Sequence, residues 1–371
     1  MATEVRLAVA GSGKTQEIAT RIKIQDAGVR SLALTFTVNG QNEIYSRISA
    51  KNNISHETIG WFTFLVKHIV RPYLPAKFPN INTCGLCFVD SDGQIPKGRS
   101  GWRYYFNDEH QPYSTRLGIL AKLVLEAAGG APMRRLEGIY DQIYIDEFQD
   151  LVGNDLVILE ALMKSSISVF ITGDVRQSVL QTSRSDRLNR EYRGVHLVDW
   201  CREMEIQRKC KVTQSSETSR FNQRIADFSD QIHDPKLNLP KTVSTQTQDT
   251  THDGVFLLDS SEMQAYVNQW NPTILWSRSS QRTLPEAESM TFGRSKGITR
   301  DRILIVGTAP IGKWLKSKDL IPPKSASGFY VATTRARFSV AIAMDKASKT
   351  YDKLHPDFSN TVTYWKDVKI F

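Results

Sequence analysis

AVAGSGKT, residues 8–15, is the stretch on which the reading of the fold turns. Apolar residues Val5 to Ala8 lead into it and the helix-compatible run QEIATRIKI follows. The order is therefore strand, tight loop, helix start. Gly11 and Gly13 let the backbone curl and aim its N–H groups at an anion. The N-terminus of the next helix adds its partial positive charge. In that setting Ala10, Gly11, Ser12 and Gly13 form a phosphate cradle, Lys14 reaches the terminal phosphates and Thr15 ligates Mg²⁺. Ala8 stands where the simple pattern has Gly. The bland alternative is a Gly/Ser-rich turn between a strand and a helix.

A phosphate loop needs a second strand that ends in an acid, to hold Mg²⁺ beside the nucleotide. YIDEFQDL, residues 144–151, supplies one. Asp146 closes the apolar run QIYI and fits the metal role. Glu147 is then placed as the general base that deprotonates the attacking water. For an isolated acidic cluster a solvated surface turn is the ordinary reading, and Gln149 and Asp150 are not explained by hydrolysis alone.

The whole chain bounds what these motifs serve. It has 371 residues, enough for two domains, with 40% hydrophobic and 23% charged residues. No apolar run is long enough for a membrane span. MATEVRLAVAGSGKT reads unlike a secretory signal, and four cysteines in this length are no disulfide framework, so the expected compartment is the cytoplasm. The formal net charge of +9 favours a polyanionic partner, with nucleic acid ahead of a membrane surface. Cys84 and Cys87 form CGLC, a weak zinc signal, and Cys201 and Cys210 do not complete a common spacing.

Further short apolar runs stand at 31–37, 168–174, 194–200, 254–259, 272–277, 301–306 and 337–344, with helix-like segments such as QNEIYSRISA (41–50) and FNQRIADFSDQI (221–232) among them. Strands alternating with helices predict an α/β protein with parallel sheets, covered on both faces, whose functional residues sit at the carboxyl ends of the strands. Residues 75–115, rich in Pro and Gly, read as an insertion, and 233–252 as a polar loop.

Eight stretches in order resemble the motifs of superfamily 1 DNA helicases of the UvrD/Rep/PcrA type: AVAGSGKT, LTFTVNGQNEI (34–44), TIGWFTFLVKHI (58–69), YIDEFQDL, ITGDVRQSV (171–179), ETSRFNQRIADF (217–228), MTFGRSKGI (290–298) and YVATTRARFSVAI (330–342). The resemblance implies two RecA-like P-loop domains with an ATP cleft between them. The expected division is 1–205 and 206–371, with a short insertion at about 70–135. It implies ATP and Mg²⁺ as cofactors and single-stranded DNA, or DNA with a single-stranded tail, as partner. Gln177 takes the place of the γ-phosphate sensor. Arg220 and Arg335 take the places of arginines that stabilise charge on the transferring phosphoryl group; read alone, each is a solvated helix charge. Gln149 and Asp150 would couple nucleotide state to ITGDVRQSV and the strand path. Thr35, Phe36, Thr37, Trp61 and Phe62 match strand-contacting positions, with Phe36 able to stack on a base; the competing reading for the rings is core. Arg294, Ser295 and Lys296 match phosphate-holding positions, and Gly297 of the same stretch lies on the nucleotide side.

The chain also departs from that pattern. With the phosphate loop starting at residue 8, the adenine-reading glutamine that usually precedes it is not expected here; Ser219 stands where a base-stacking Tyr is common (Phe221 follows), and Thr299 stands near a usual acid. The stretch SVLQTSRS after Gln177 has no aromatic. Residues 229–289 hold only polar loop and two strand-like runs, too little for the accessory domain of larger helicases. Two functions follow from the resemblance. One is an ATP-dependent single-stranded-DNA translocase or helicase, of 3′-to-5′ polarity. The other is a nucleotide-gated, DNA-sensing regulatory subunit, like the helicase partners of OLD-type nucleases in anti-phage systems, with a nuclease as its protein partner.

Overall fold

A computed structural model describes residues 3–48, 55–277, 284 and 286–367. The chain forms two compact units. Unit 1 is Met1–Leu7, Lys14–Val175 and Leu180–Thr213; unit 2 is Ala8–Gly13, Arg176–Val179 and Gln214–Phe371.

Unit 1 is built on strands β1 (Thr3–Ala8), β2 (Ser31–Thr35), β3 (His56–Gly60), β4 (Gln142–Ile145), β5 (Ser168–Gly173) and β6 (Lys211–Ser215), in the order β3-β2-β4-β5-β1-β6. The pairs β2·β3, β2·β4, β4·β5 and β1·β5 are parallel, with Ala33 opposite Tyr144 and Tyr144 opposite Phe170. Parallel pairing needs crossovers, and helices supply them. Helix α1 (Lys14–Ile24) buries Ile18, Ala19 and Ile22, and α2 (Val38–Ile48) buries Ile44 and Ile48, a helical spacing in both. These side chains pack with Ala33, Tyr144 and Phe170 on one face of the sheet. Glu17 in the first turn of α1 and Arg21 and Lys23 in the last suit the helix dipole. After β3 come α3 (Trp61–Phe64), a π-helical stretch Leu65–Val70 and α4 (Arg71–Tyr73). Residues 75–115 carry only short 3₁₀ turns and bridges such as Cys87–Tyr113. Then follow α5 (Leu117–Ala127), α6 (Ala131–Ile139), α7 (Asn154–Met163) and α8 (Leu197–Ile206).

Unit 2 carries β7 (Glu217–Thr218) and β8 (Val243–Ser244) as a separate parallel pair, then β9 (Gly254–Asp259), β10 (Thr273–Trp276), β11 (Ser289–Thr291), β12 (Arg300–Val306), β13 (Ala336–Met344) and β14 (Val362–Tyr364). The last six form a parallel sheet in the order β11-β10-β12-β13-β9-β14. Alternation along its strands shows both faces covered. Val255, Leu257, Ile303, Ile305, Val340 and Ile342 enter one apolar cluster, while Phe256, Leu258, Leu304, Val306, Ala341 and Ala343 enter another. The helices are α9 (Gln223–Ser229), α10 (Met263–Trp270), α11 (Ala309–Ser317), α12 (Pro323–Thr333) and α13 (Ala347–Tyr351). Asn222 caps α9 by accepting from the Ile225 amide at 3.1 Å.

The α/β class with parallel sheets is as the sequence predicts. Six of the seven apolar runs, all but 194–200, become β2, β5, β9, β10, β12 and β13. The run 194–200 is corrected: it is a 3₁₀ turn, Gly194–His196, leading into α8. Leu197, Val198, Cys201 and Met204 are buried at helical, not alternating, intervals. The span 229–289 is corrected too, because α10 lies within it and sinks Met263, Tyr266 and Val267 into the core. The described part of QNEIYSRISA is helical, and its residues 49 and 50 lie outside the described residues.

Candidate functional site

The phosphate-loop sequence folds as a turn between β1 and α1. The Ser12 amide donates to the Val9 carbonyl at 3.4 Å, and Gly11 and Gly13 take φ of 76° and 79°, which L side chains resist. Lys14 opens α1 and is buried. The Ser12 hydroxyl is buried with no hydrogen-bond partner among the described residues. A curled, glycine-lined backbone with an unsatisfied hydroxyl at a helix start fits a bound phosphate.

Thr15 ties this loop to the acid after β4. Its hydroxyl donates to Asp146 Oδ2 at 2.7 Å. The Asp146 amide continues the ladder by donating to the Leu34 carbonyl at 2.8 Å, so the strand itself places the carboxylate. Asp146 is 3% exposed. Burial, and then the neighbouring charge of Glu147, hold its pKa well above the usual carboxylate range, against the pull of Thr15 and Lys14. A buried acid at this cost, joined to a hydroxyl oxygen, is a hard-oxygen donor pair that suits Mg²⁺ completed by phosphate oxygens and water.

Glu147 sits at φ 57°. For a residue other than Gly this left-handed backbone is uncommon and marks a position held by its surroundings. Its carboxylate accepts from the Gln149 side-chain amide. The other end of that amide, Oε1, accepts from the Asp174 backbone N–H at 3.1 Å. A side chain at Gly173 would collide with Gln149 Oε1 and the Phe148 ring, so this strand end must be glycine. Gln149 therefore bridges the proposed base and the end of β5, which the sequence motif alone did not show. Asp150 is fully buried, and its carbonyl accepts from the Thr182 amide at 2.9 Å.

Unit 2 gathers Gly11, Gln177, Arg220 and Arg335. A Cβ on Gly11 would meet Thr218 Oγ1 and Arg220 Cβ, and the Gly11 carbonyl accepts from the Ser219 amide at 3.2 Å. Arg335 is 1% exposed and heavily tied. It donates to Gln177 Oε1 at 2.8 Å, to the Val331 carbonyl at 3.0 Å and to the Ile298 carbonyl at 3.3 Å. Arg220 Nη1 donates to the Thr334 carbonyl at 3.3 Å. Ala10 is buried in the core of this unit, which leaves its backbone and not its side chain available to a ligand.

The expected strand contacts divide. Phe36 and Phe62 follow the paired ends of β2 and β3, where Thr35 lies opposite Gly60, and their partly exposed rings meet edge to face with centroids 5.4 Å apart. Thr35 is buried, and Thr37 uses its hydroxyl to accept from the Gly40 amide at 3.1 Å. Trp61 is corrected: it is 1% exposed, and its indole N–H donates to Asp155 at 3.0 Å, so its ring belongs to the core. Ser295 is corrected likewise: it is buried, with its hydroxyl donating to the Phe292 carbonyl at 2.7 Å and its amide to the Thr291 carbonyl at 3.1 Å. Arg294 is exposed and Lys296 half-buried, while Gly297, exposed at φ 90°, turns the chain after them.

Two residues absent from the sequence reading join this side of unit 1. Asp155, on α7, accepts from both the Trp61 indole and the Thr182 hydroxyl. Burial pushes its pKa up to about 6. Nothing local in the sequence marks either residue, because the contacts span distant segments. Cys84 is exposed, Cys87 half-buried and Cys201 and Cys210 buried. Among the described residues no cluster of three or more His, Cys, Asp or Glu side chains is placed to hold a metal, and no helix is long and apolar enough to cross a membrane.

No protein-family model and no curated protein matches the chain. Among solved structures it is similar to a crystal structure of arterivirus nonstructural protein 10 (helicase), with TM-score 0.46 and 14% identity over 95% of this chain and 62% of that one. It is similar also to the complex of arterivirus nonstructural protein 10 (helicase) with DNA, with TM-score 0.45 and 12% identity over 95% of this chain and 63% of the other. The chain thus spans less than two thirds of the length of these structures.

Proposed function

We propose that this chain is a nucleic-acid-stimulated ATP hydrolase of the superfamily 1 helicase kind, built to move along single-stranded DNA. The observation that carries the reading is the contact of Thr15 with Asp146. It joins the phosphate-loop threonine to an acid pair whose second member, Glu147, has a left-handed backbone and a carboxylate that accepts from Gln149. Thr15 and Asp146 would hold Mg²⁺, whose chemistry is to neutralise charge on the phosphates. Lys14 and the amides of residues 10–13 bind the phosphate chain. Glu147 accepts the proton of the attacking water, and Gln149 fixes its orientation. Gln177, Arg220 and Arg335 act on the charge that develops on the transferred group. Phe36, Phe62, Arg294 and Lys296 are the strand contacts that remain accessible.

Steady-state hydrolysis without DNA, with single strands and with duplex, at two salt concentrations, tests this. Stimulation by single strands that weakens as salt rises is the expected result, because phosphate contacts release counterions. Hydrolysis indifferent to any nucleic acid would overturn it. A second reading, a nucleotide-gated regulatory subunit with little unwinding, draws on the segment after Gln177. There Thr182 and Ser183 turn inward, Ser183 donating to the Thr115 carbonyl at 2.6 Å, and no ring is offered to a strand. Nucleotide-dependent association with a nuclease, without displacement of a block from a strand, would favour that reading.

A further inference from the structure

Phe88 is 75% exposed, in the Pro- and Gly-rich stretch that the motif reading leaves unassigned. Its ring lies 6.2 Å from that of Phe62, which in turn lies 5.4 Å from Phe36. Three rings therefore run in contact from the carboxyl ends of β2 and β3 outward onto the insertion. Phe88 is not at a loose loop tip. The Cys87 amide donates to the Pro112 carbonyl at 2.9 Å, and the Ser114 amide donates to the Cys87 carbonyl at 2.9 Å. The Val89 amide donates to the Ser114 hydroxyl at 3.0 Å, and that hydroxyl reaches the Val89 carbonyl at 3.2 Å. Both neighbours of Phe88 are thus clamped to Pro112–Ser114, just ahead of α5. A fold that fixes the backbone on either side of an apolar ring, and leaves the ring in water, presents a preorganised surface.

We propose that Phe88 is a third stacking platform for the bases of single-stranded nucleic acid, extending the Phe36–Phe62 pair. This rests on the strand-binding part of the proposed function. Aromatic faces accept any base, and a chain of net charge +9 favours a polyanion over an apolar protein face. A strand leaving Phe36 and Phe62 would meet Phe88 next, so the insertion lengthens the bound segment.

The test is fluorescence anisotropy with the full chain, using a labelled oligo-dT and an abasic strand of equal length. Phe88→Ala is expected to weaken oligo-dT binding by about five-fold or more, the loss of one stacked base. Affinity for the abasic strand should stay unchanged, and Phe88→Trp should keep the wild-type preference for bases. Thermal melts of each variant check that the fold survives. If Phe36→Ala weakens oligo-dT binding and Phe88→Ala does not, the extension is wrong and the strand-binding reading stands. Equal loss on both strands overturns stacking as the role of Phe88. If wild type binds neither strand, the proposed function falls together with this inference. Unchanged strand binding in Phe88→Ala together with loss of a protein partner would assign the ring to a protein interface instead.

Discussion

At the scale of single residues, the acids after β4 carry the sharpest expectation. Asp146 and Glu147 are adjacent, yet their surroundings separate them. Asp146 is buried and joined to Thr15, while Glu147 is turned by its positive φ and held by Gln149. Glu147→Gln keeps the shape and removes the basic oxygen. It should bind ATP as well as wild type and lower kcat by about 10²-fold or more, the usual weight of a positioned base. Turnover within several-fold of wild type, measured under nucleic-acid saturation, would remove Glu147 from that role. Arg335→Lys tests the part assigned to unit 2. Lysine keeps the charge but not the planar fork that reaches Gln177, Val331 and Ile298 at once. Turnover should fall with ATP affinity largely kept, whereas a loss confined to the melting temperature would make Arg335 a structural brace.

At the scale of elements, unit 1 joins its acid turn to the segment bearing its aromatic rings through one buried network. The Asp150 carbonyl accepts from the Thr182 amide, the Thr182 hydroxyl donates to Asp155, and Asp155 accepts from Trp61, whose neighbour is Phe62. Thr182→Val keeps the volume and removes the hydroxyl, leaving Asp155 short of a donor. Stability should fall by about 1–3 kcal/mol, the usual cost of an unsatisfied buried group. If the network transmits nucleotide state, the ratio of strand-stimulated to basal hydrolysis should fall as well. A ratio equal to that of wild type, with stability lost, would show a purely structural network. This network was not legible in the sequence, because a motif gives positions along the chain and not which way a side chain turns. Trp61 and Ser295 illustrate that: both stand in motif-like stretches, and both point inward. What was legible depended on continuous local signals. The apolar runs of β5, β9, β12 and β13 are unbroken, so they read as buried strands. β3, HETIG, is half-buried throughout except for Gly60 and offers no such run. The apolar cluster around Trp200 reads the same for a short strand as for the start of a helix, and only the later burial of Cys201 and Met204 decides for α8.

At the scale of the whole molecule, acidification pulls stability in two directions at once. Burial lowers the pKa of His68 in unit 1 and of His252 in unit 2 to about 4. His252 is stacked between Phe256 and Trp270 at 3.9 and 4.0 Å, shares a hydrogen bond with the Tyr266 hydroxyl and feels the charge of Arg302. The folded histidines stay neutral where the unfolded chain, with a pKa near 6.5, takes up protons. Stability is therefore lost as pH falls from about 6.5 towards 4. Asp155 is the reverse case: its folded pKa of about 6 lies above the ordinary 3.8, so the folded state takes up its proton first and stability is regained as pH falls through that window. Denaturant midpoints at pH 7 and pH 5 separate the two effects. His252→Gln should cost less relative to wild type at pH 5 than at pH 7, because the variant has no proton to exclude. Asp155→Asn should behave oppositely, costing less at pH 7, where the wild type bears a buried charge that the amide lacks. Each difference should be visible in its own variant even if the wild-type midpoint barely moves, since the opposing contributions cancel there. A cost that is the same at both pH values, for either substitution, would show that the side chain meets solvent freely enough to titrate as it does in the unfolded chain.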